Sequence, residues 1–276
     1  MIRGLFFDLD GTLLNGQKRL SPANAAVLQA CRAKGLQLFL ATARPPLLER
    51  MLDWGPAVLQ LFDGGVYCNG ACIQLERQTR YIHLPPSVVD ACMDAAAAYP
   101  GLNIALQMEQ GRHAFRYPLA DFAYAPWGLE PPDVVPIGKD CAGHTIKILL
   151  FYENLVDSVT PLAPSLAPSL ASSLEALCRP HAQFYWTDRG KVIQMTGRQA
   201  SKYHAIEWIR QQRHWQPNEI AVFGDDQNDV PMLAAYENSV AMANGCKAAR
   251  QAARFVTRSH EEDGVAYGLS QLLHLL

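Results

Sequence analysis

Two aspartates, Asp8 and Asp10, stand two residues apart in RGLFFDLDGTLLN, at the end of the apolar run Leu5-Phe6-Phe7. A short apolar run of this kind reads as a buried strand, and residues i and i+2 of a strand share a face. Other polar groups follow apolar runs in the same way. LQLFLA, 36–41, leads into Thr42-Ala43-Arg44, and EIAVFG, 219–224, leads into Asp225 with Asn228 and Asp229 close behind. Lys202 opens the helical stretch SKYHAIEWIRQQ. Singly, each has an ordinary reading: an Asp after a strand serves a turn, and a Lys in a helix's first turn merely opposes the macrodipole. Gathered at the carboxyl edge of one parallel sheet, where ligands bind, they mean more. Several carboxylates there repel each other and need a cation, and hard oxygen donors suit Mg²⁺. A hydroxyl and an ammonium at the same edge suit an anion. Metal ligands, anion donors and a free carboxylate together describe a phosphoryl-transfer site.

The elements that must position these groups follow from periodicity. Residues 4–9 form a strand, Ser21-Pro22 caps and opens a helix to about Lys34, Gly35 stops it, and 36–41 is the next strand. Pro45-Pro46 opens a further helical stretch. Strand, helix, strand, helix predicts a parallel sheet. The rhythm returns with a helix over 201–212, strands at 219–224 and 238–244, a helical CKAARQAARF, a short FVT strand and a last helix over 265–275. The middle differs. Ser87 caps a helix through Tyr99, and strands follow at 103–108, 113–117 and 145–152, with a hairpin across FYWTDRGKVIQM. PLAPSLAPSLASSL, 161–174, reads as a surface loop or a short helix started by proline. The expected fold is α/β: a Rossmann-like parallel core from 1–83 and 191–276, with an α+β cap inserted at 84–190.

Composition narrows the function. The chain has 276 residues, 49% of them hydrophobic, and a net charge of -2. That balance carries no basic footprint for nucleic acid. No apolar run approaches the roughly 18 residues of a membrane span, and the apolar run near the N-terminus is too short for a signal peptide. Seven scattered cysteines with no CxxC suggest reduced thiols and a cytoplasmic location. No nucleic-acid or membrane partner is expected.

FFDLDGTLL resembles the first motif of the haloacid dehalogenase (HAD) superfamily. LATARP is similar to the second, SKYHAI to the third and GDDQNDVPML to the fourth, in the same order. The tail, VAMANGCKAARQAARFVT and then EEDGVA, resembles the Cof-type branch, in which a large α/β cap (class IIB) lies between the second and third motifs. The resemblance implies that Asp8 is the nucleophile, forming an aspartyl-phosphate, and that Asp10 is the general acid/base. It implies Mg²⁺ held by the side chains of Asp8 and Asp225 and the backbone carbonyl of Asp10. Asn228 and Asp229 would support the metal's water shell or the phosphate, and Asp226 would be a surface carboxylate. Thr42, Lys202 and the N–H groups of Leu9 and Ala43 would hold the phosphate oxygens, with Lys202 also restraining Asp8. Arg44 and Asn69 are core-side candidates for reading the substrate; in the cap, Arg116, Tyr117, Trp127 and Lys147 are candidates with strong structural alternatives. Ala43, Tyr203 and Ala243 depart from residues common in the family without removing a chemical group. The expected activity is a Mg²⁺-dependent phosphatase of small phosphorylated metabolites, sugar phosphates first and phosphorylated cofactors next, acting as a monomer or weak homodimer. A phosphomutase and a catalytically silent binding protein are the alternatives.

Overall fold

The computed structural model describes residues 1–152, 168–187 and 192–276. In chain order its first strands are β1 (Gly4–Phe7), β2 (Gln37–Ala41), β3 (Gly64–Tyr67), β4 (Cys72–Leu75), β5 (Gln78–Tyr81), β6 (Leu102–Met108) and β7 (His113–Phe115). There follow β8 (Val134–Pro136), β9 (Thr145–Tyr152), β10 (Ala182–Thr187), β11 (Val192–Gly197), β12 (Ile220–Gly224), β13 (Asn238–Ala241) and β14 (Phe255–Val256). They build two sheets, and the chain divides into two compact units: 1–44 with 52–80 and 202–276, and 45–51 with 81–201.

The first unit holds the sheet β14-β13-β12-β1-β2-β3-β4-β5, parallel from β14 to β3 with β4 antiparallel to β3. GLFF and IAVFG are buried at every position, as a sheet covered on both faces requires. Leu5 sits in register with Leu38 and Ala221, and Phe7 with Leu40 and Phe223. Phe6 stacks on Phe39 with centroids 4.7 Å apart, and the Trp215 ring meets Phe39 edge-on. The helix Pro22–Ala33 begins as its sequence predicts: Ser21 Oγ accepts from Asn24 N at 3.1 Å, and Gly35, with φ +81°, lies just past its end. Pro45-Pro46, by contrast, opens only the four-residue helix Leu48–Met51. The order β12-β1-β2 matters most for chemistry. It sets the carboxyl ends of these three strands side by side, and Asp225, Asp8 and Thr42 follow them directly.

The second unit holds the sheet β10-β11-β9-β6-β7-β8, antiparallel except for the β7–β8 pair. One face, including Ile104, Leu106, Ile148, Leu150, Ile193 and Met195, packs with residues of the helices Pro86–Ala97 and Pro168–Cys178. Of the two readings of the low-complexity segment, surface loop or proline-started helix, the second holds from Pro168; residues 161–167 lie outside the described ones. Ser87 is inside the first helix rather than its cap, which is Pro85. The sequence boundary at 190/191 needs correction. It cuts the hairpin β10–β11, and β11 also pairs with β9, so the chain rejoins the parallel sheet only at Lys202. The boundary at 83/84 moves to 80/81, and 45–51 groups with the second unit.

The four candidates in this unit all have structural partners. Arg116 donates to the carbonyls of Ala96, Tyr99 and Leu102, closing the end of the helix Pro86–Ala97. Trp127 packs edge-on against His113 and Phe115, and the Tyr117 N–H donates to Asn103. Lys147 is buried in a cross-strand row with Thr196, Gln107 and His113.

His113 makes a measurable prediction. Its Nδ1 bonds the Gly111 carbonyl at 2.9 Å, while Nε2 is buried without a partner among the described residues. Burial pushes its pKa down to about 4, helped by the charge of Lys147 and opposed by the Gly111 bond and Asp133. The unfolded chain therefore takes a proton near pH 6.5 while the folded chain stays neutral to about pH 4. Stability supplied by the neutral ring is full above pH 6.5 and falls through this window, by up to about 1.4 kcal/mol per pH unit. Urea midpoints measured between pH 7 and 4 are expected to drop less steeply in His113→Phe than in the wild type. Parallel curves refute the assignment.

Candidate active site

Asp8 enters the site as a continuation of β1: its N–H donates to the Phe223 carbonyl at 3.0 Å. Lys202 is the first residue of the helix Lys202–Gln212. Its ammonium lies 2.6 Å from Asp8 Oδ1 and 2.6 Å from Asp229 Oδ1, all three groups buried. Asp229 Oδ2 accepts the N–H groups of Asp225 at 2.9 Å and Asp226 at 3.0 Å, which folds the loop after β12 around one carboxylate. Asp225 is oriented by the Thr12 hydroxyl, 2.8 Å from its Oδ1. Carboxylate oxygens of Asp8, Asp225 and Asp229 lie within 4.8 Å of one another. Gly11 permits the approach: its φ is +85°, and a Cβ there would sit 2.4 Å from Asp225 Oδ2. Asn244 steadies the same turn by donating to the Gly11 carbonyl at 2.8 Å.

Three carboxylates face one ammonium, and the imbalance shows in the titration. Burial, against the pull of Lys202 and with the push of Asp229 and Asp225, holds the Asp8 carboxyl well above the usual range. Burial and the charge of Asp229 push Asp225 up to about 6. Burial alone would lower Lys202, but Asp229 and Asp8 outweigh it and hold the ammonium above its ordinary value. One divalent cation would cancel the remaining negative charge of the cluster. The donor set is hard oxygen, the kind Mg²⁺ takes.

Asp10 turns elsewhere. Arg44 grips it with two bonds, Nε to Oδ2 at 2.6 Å and Nη2 to Oδ1 at 2.7 Å, and Lys18 Nζ adds a third at 2.7 Å. Burial raises its pKa, but the two cations prevail and pull it to about 2. Thr42 is buried between strands; its N–H donates to Val66 O at 2.8 Å and its Oγ1 accepts from Arg44 N at 3.1 Å. Asn69, with φ +55°, sends its N–H to the Thr42 carbonyl and accepts from Asn228 Nδ2 at 2.9 Å. Asp226 is exposed, as predicted.

The structure thus gathers Asp8, Lys202, Asp225 and Asp229 into one cluster, and joins Asp10 to Arg44 and Asn69 to Asn228. Sequence reasoning missed Thr12, Lys18 and Asn244. Thr12 lay within the quoted DGT, and Asn244 within the quoted tail, so both were within reach. Lys18, at φ +59° in a loop, has no such signal.

Residues 5–269 match the haloacid dehalogenase-like hydrolase family, and the chain belongs to it. The 5-amino-6-(5-phospho-D-ribitylamino)uracil phosphatase of Bacillus subtilis is 27% identical, with 97% of this chain and 96% of that protein covered. The pyridoxal phosphate phosphatase of Escherichia coli is 24% identical, with 96% of each covered. Among solved structures, a HAD subclass IIB sugar phosphatase superposes with a TM-score of 0.79 at 21% identity, with 98% of each chain covered.

Proposed function

We propose that this protein is a Mg²⁺-dependent phosphatase of small phosphorylated metabolites working through an aspartyl-phosphate on Asp8. The observation that carries the reading is the buried cluster in which Lys202 bridges Asp8 and Asp229 beside Asp225. Asp8 and Asp225, with the carbonyl of Asp10, would hold the metal, and Asp229 would support it by fixing the loop that carries Asp225. When bound, Mg²⁺ supplies charge neutralisation and polarises a phosphate oxygen.

The remaining roles belong to the chain. Asp8 Oδ attacks phosphorus and the leaving alkoxide departs along the opposite direction. Lys202 aims the attacking carboxylate, since its ammonium already lies 2.6 Å from Asp8 Oδ1. Lys202, Thr42 and Asn228, with the N–H groups of Leu9 and Ala43, bind the phosphoryl oxygens. Held at a pKa of about 2 by Arg44 and Lys18, Asp10 takes up a proton only once it leaves them; it then gives that proton to the alkoxide and takes one from the water that cleaves the acyl phosphate. To do so it must exchange Arg44 for the reacting oxygen, so Arg44 positions the acid/base and Asn69 braces Asn228. The phosphatases of B. subtilis and E. coli support substrates of the phosphorylated sugar-like or cofactor class.

The test is phosphate release from a broad panel of phosphomonoesters, with Mg²⁺ and with chelator. Release confined to the Mg²⁺ arm supports the reading. Silence with a folded protein, or equal release in chelator, overturns it. Asp225→Ala is expected to raise the Mg²⁺ concentration for half-maximal rate by at least about 10- to 100-fold, since even groups that only support ligands cost that much. A wild-type Mg²⁺ titration in this variant removes Asp225 from the ligand set.

A further inference from the structure

The sheet of the first unit has a second end, one strand length from the carboxylates. There Arg3 precedes β1, Gln37 begins β2, and Arg213 and Trp215 follow the helix Lys202–Gln212. Arg3, Gly35, Gln37, Gln212, Arg213 and Trp215 line an open cleft of about 420 Å³. The lining holds two guanidinium groups and two carboxamides and no carboxylate.

Neither guanidinium is fully committed. Arg213 Nη1 donates to Glu76 at 2.7 Å, but its Nε–H is buried and meets no acceptor among the described residues. Arg3 Nη1 is 3.7 Å from Glu219 Oε1, beyond hydrogen-bond length, and the guanidinium rests over the Trp215 ring at 5.9 Å. The side-on edge of a guanidinium is a planar two-donor fork that matches two oxygens of one anion. Arg3 and Arg213 together carry more N–H donors than the contacts with Glu219 and Glu76 use, and a phosphate group offers further acceptors. The volume exceeds that of the ion alone and falls in the range of small-molecule sites.

We propose that this cleft is an anion site for phosphate, taken up as the free ion or as the head of a phosphorylated metabolite. Arg3 and Arg213 hold the oxygens, Gln37 and Gln212 supply neutral donors, and the Trp215 ring keeps Arg3 in place. The site stands apart from the Asp8 cluster and does not rest on the phosphatase reading. The rival role is structural: the helices Pro22–Ala33 and Lys202–Gln212 both end here, and arginines near helix C-termini stabilise the dipole by themselves.

The experiment is calorimetric titration of the full chain with inorganic phosphate, in wild type, Asp225→Ala, Arg213→Lys and Arg3→Gln/Arg213→Gln. A phosphate-binding event that survives in Asp225→Ala and weakens at least tenfold in the double arginine variant supports the site. Arg213→Lys keeps the charge and loses the fork, so it is expected to bind several-fold more weakly; it carries the test if the double variant does not fold. Phosphomonoester hydrolysis at low phosphate is expected to be unchanged in both. Repeating the titration with glucose 6-phosphate in Asp8→Asn separates the sources: arginine-dependent binding of the sugar phosphate alone assigns the site to a metabolite head. Lower melting temperatures in the arginine variants with unchanged titrations of both probes make the arginines structural and overturn the proposal. Absence of any arginine-dependent binding does the same.

Discussion

Asp8→Asn is expected to lower phosphomonoester turnover by on the order of 10⁴-fold or more, the scale on which hydrolases lose rate with their nucleophile. The change removes an oxygen nucleophile and almost no volume. The amide oxygen can still accept from Lys202, whose ammonium lies 2.6 Å from Asp8 Oδ1, so the fold and substrate binding are expected to survive. The covalent step gives a second readout. Wild type quenched in acid during turnover is expected to carry one phosphoryl group on the peptide containing Asp8, and Asp8→Asn none. A label on another residue, or turnover within tenfold of wild type in the variant, removes Asp8 from the nucleophile's role. Asp10→Asn differs in kind: it leaves the nucleophile in place and is expected to slow both departure of the alkoxide and hydrolysis of the intermediate.

The second large effect concerns stability. Lys202→Met leaves Asp8, Asp225 and Asp229 crowded without their ammonium. Breaking a buried ion pair from one side costs about 3–5 kcal/mol, because the remaining charge stays buried. The loss is expected in full in chelator at neutral pH. It shrinks as pH falls, since protonation relieves carboxylates whose pKa values are already raised, and it shrinks when Mg²⁺ is added. Adding Asp229→Asn removes one of the two carboxylates that Lys202 bridges, so the double variant is expected to lose less than the two single losses summed. Strict additivity, or no response to Mg²⁺, means that the charge cluster is not what the lysine holds together.

Much of the parallel sheet was legible because its central strands are nearly continuous apolar runs, each followed by a polar residue. LQLFLA and EIAVFG announce β2 and β12, and Ser21-Pro22 announces a helix, since these signals are local. The strands β3, β4 and β5 were not predicted. GGVY, CIQL and QTRY are short, and two glycines blunt the first. The boundary near 190 failed for a different reason: β11 is held by pairing with β9, forty-odd positions earlier, which periodicity does not register. Within the site, residue types and order predicted Asp8, Lys202 and Asp225. The contact of Lys202 with Asp8 was expected from the resemblance, but the partners of Asp10 and Asp225 did not follow, because Arg44 reaching back to Asp10 and Thr12 reaching Asp225 are contacts across 34 and 213 positions.

The separation of 194 positions between Asp8 and Lys202 sets an order of events during synthesis. The strand β1 has β2 on one side and β12 on the other, and β12 begins at Ile220. A ribosome must therefore release most of the chain before the central strand is paired on both edges. Until then Gly4–Phe7, buried at every position in the finished fold, presents an open apolar edge of the kind that recruits other chains. The sheet of residues 81–201 has its own core and pairings and can form while the parallel sheet waits. The nascent protein is thus most exposed to aggregation between the emergence of β2 and that of β12, and translation pauses in that interval are where a holding chaperone has the most to protect.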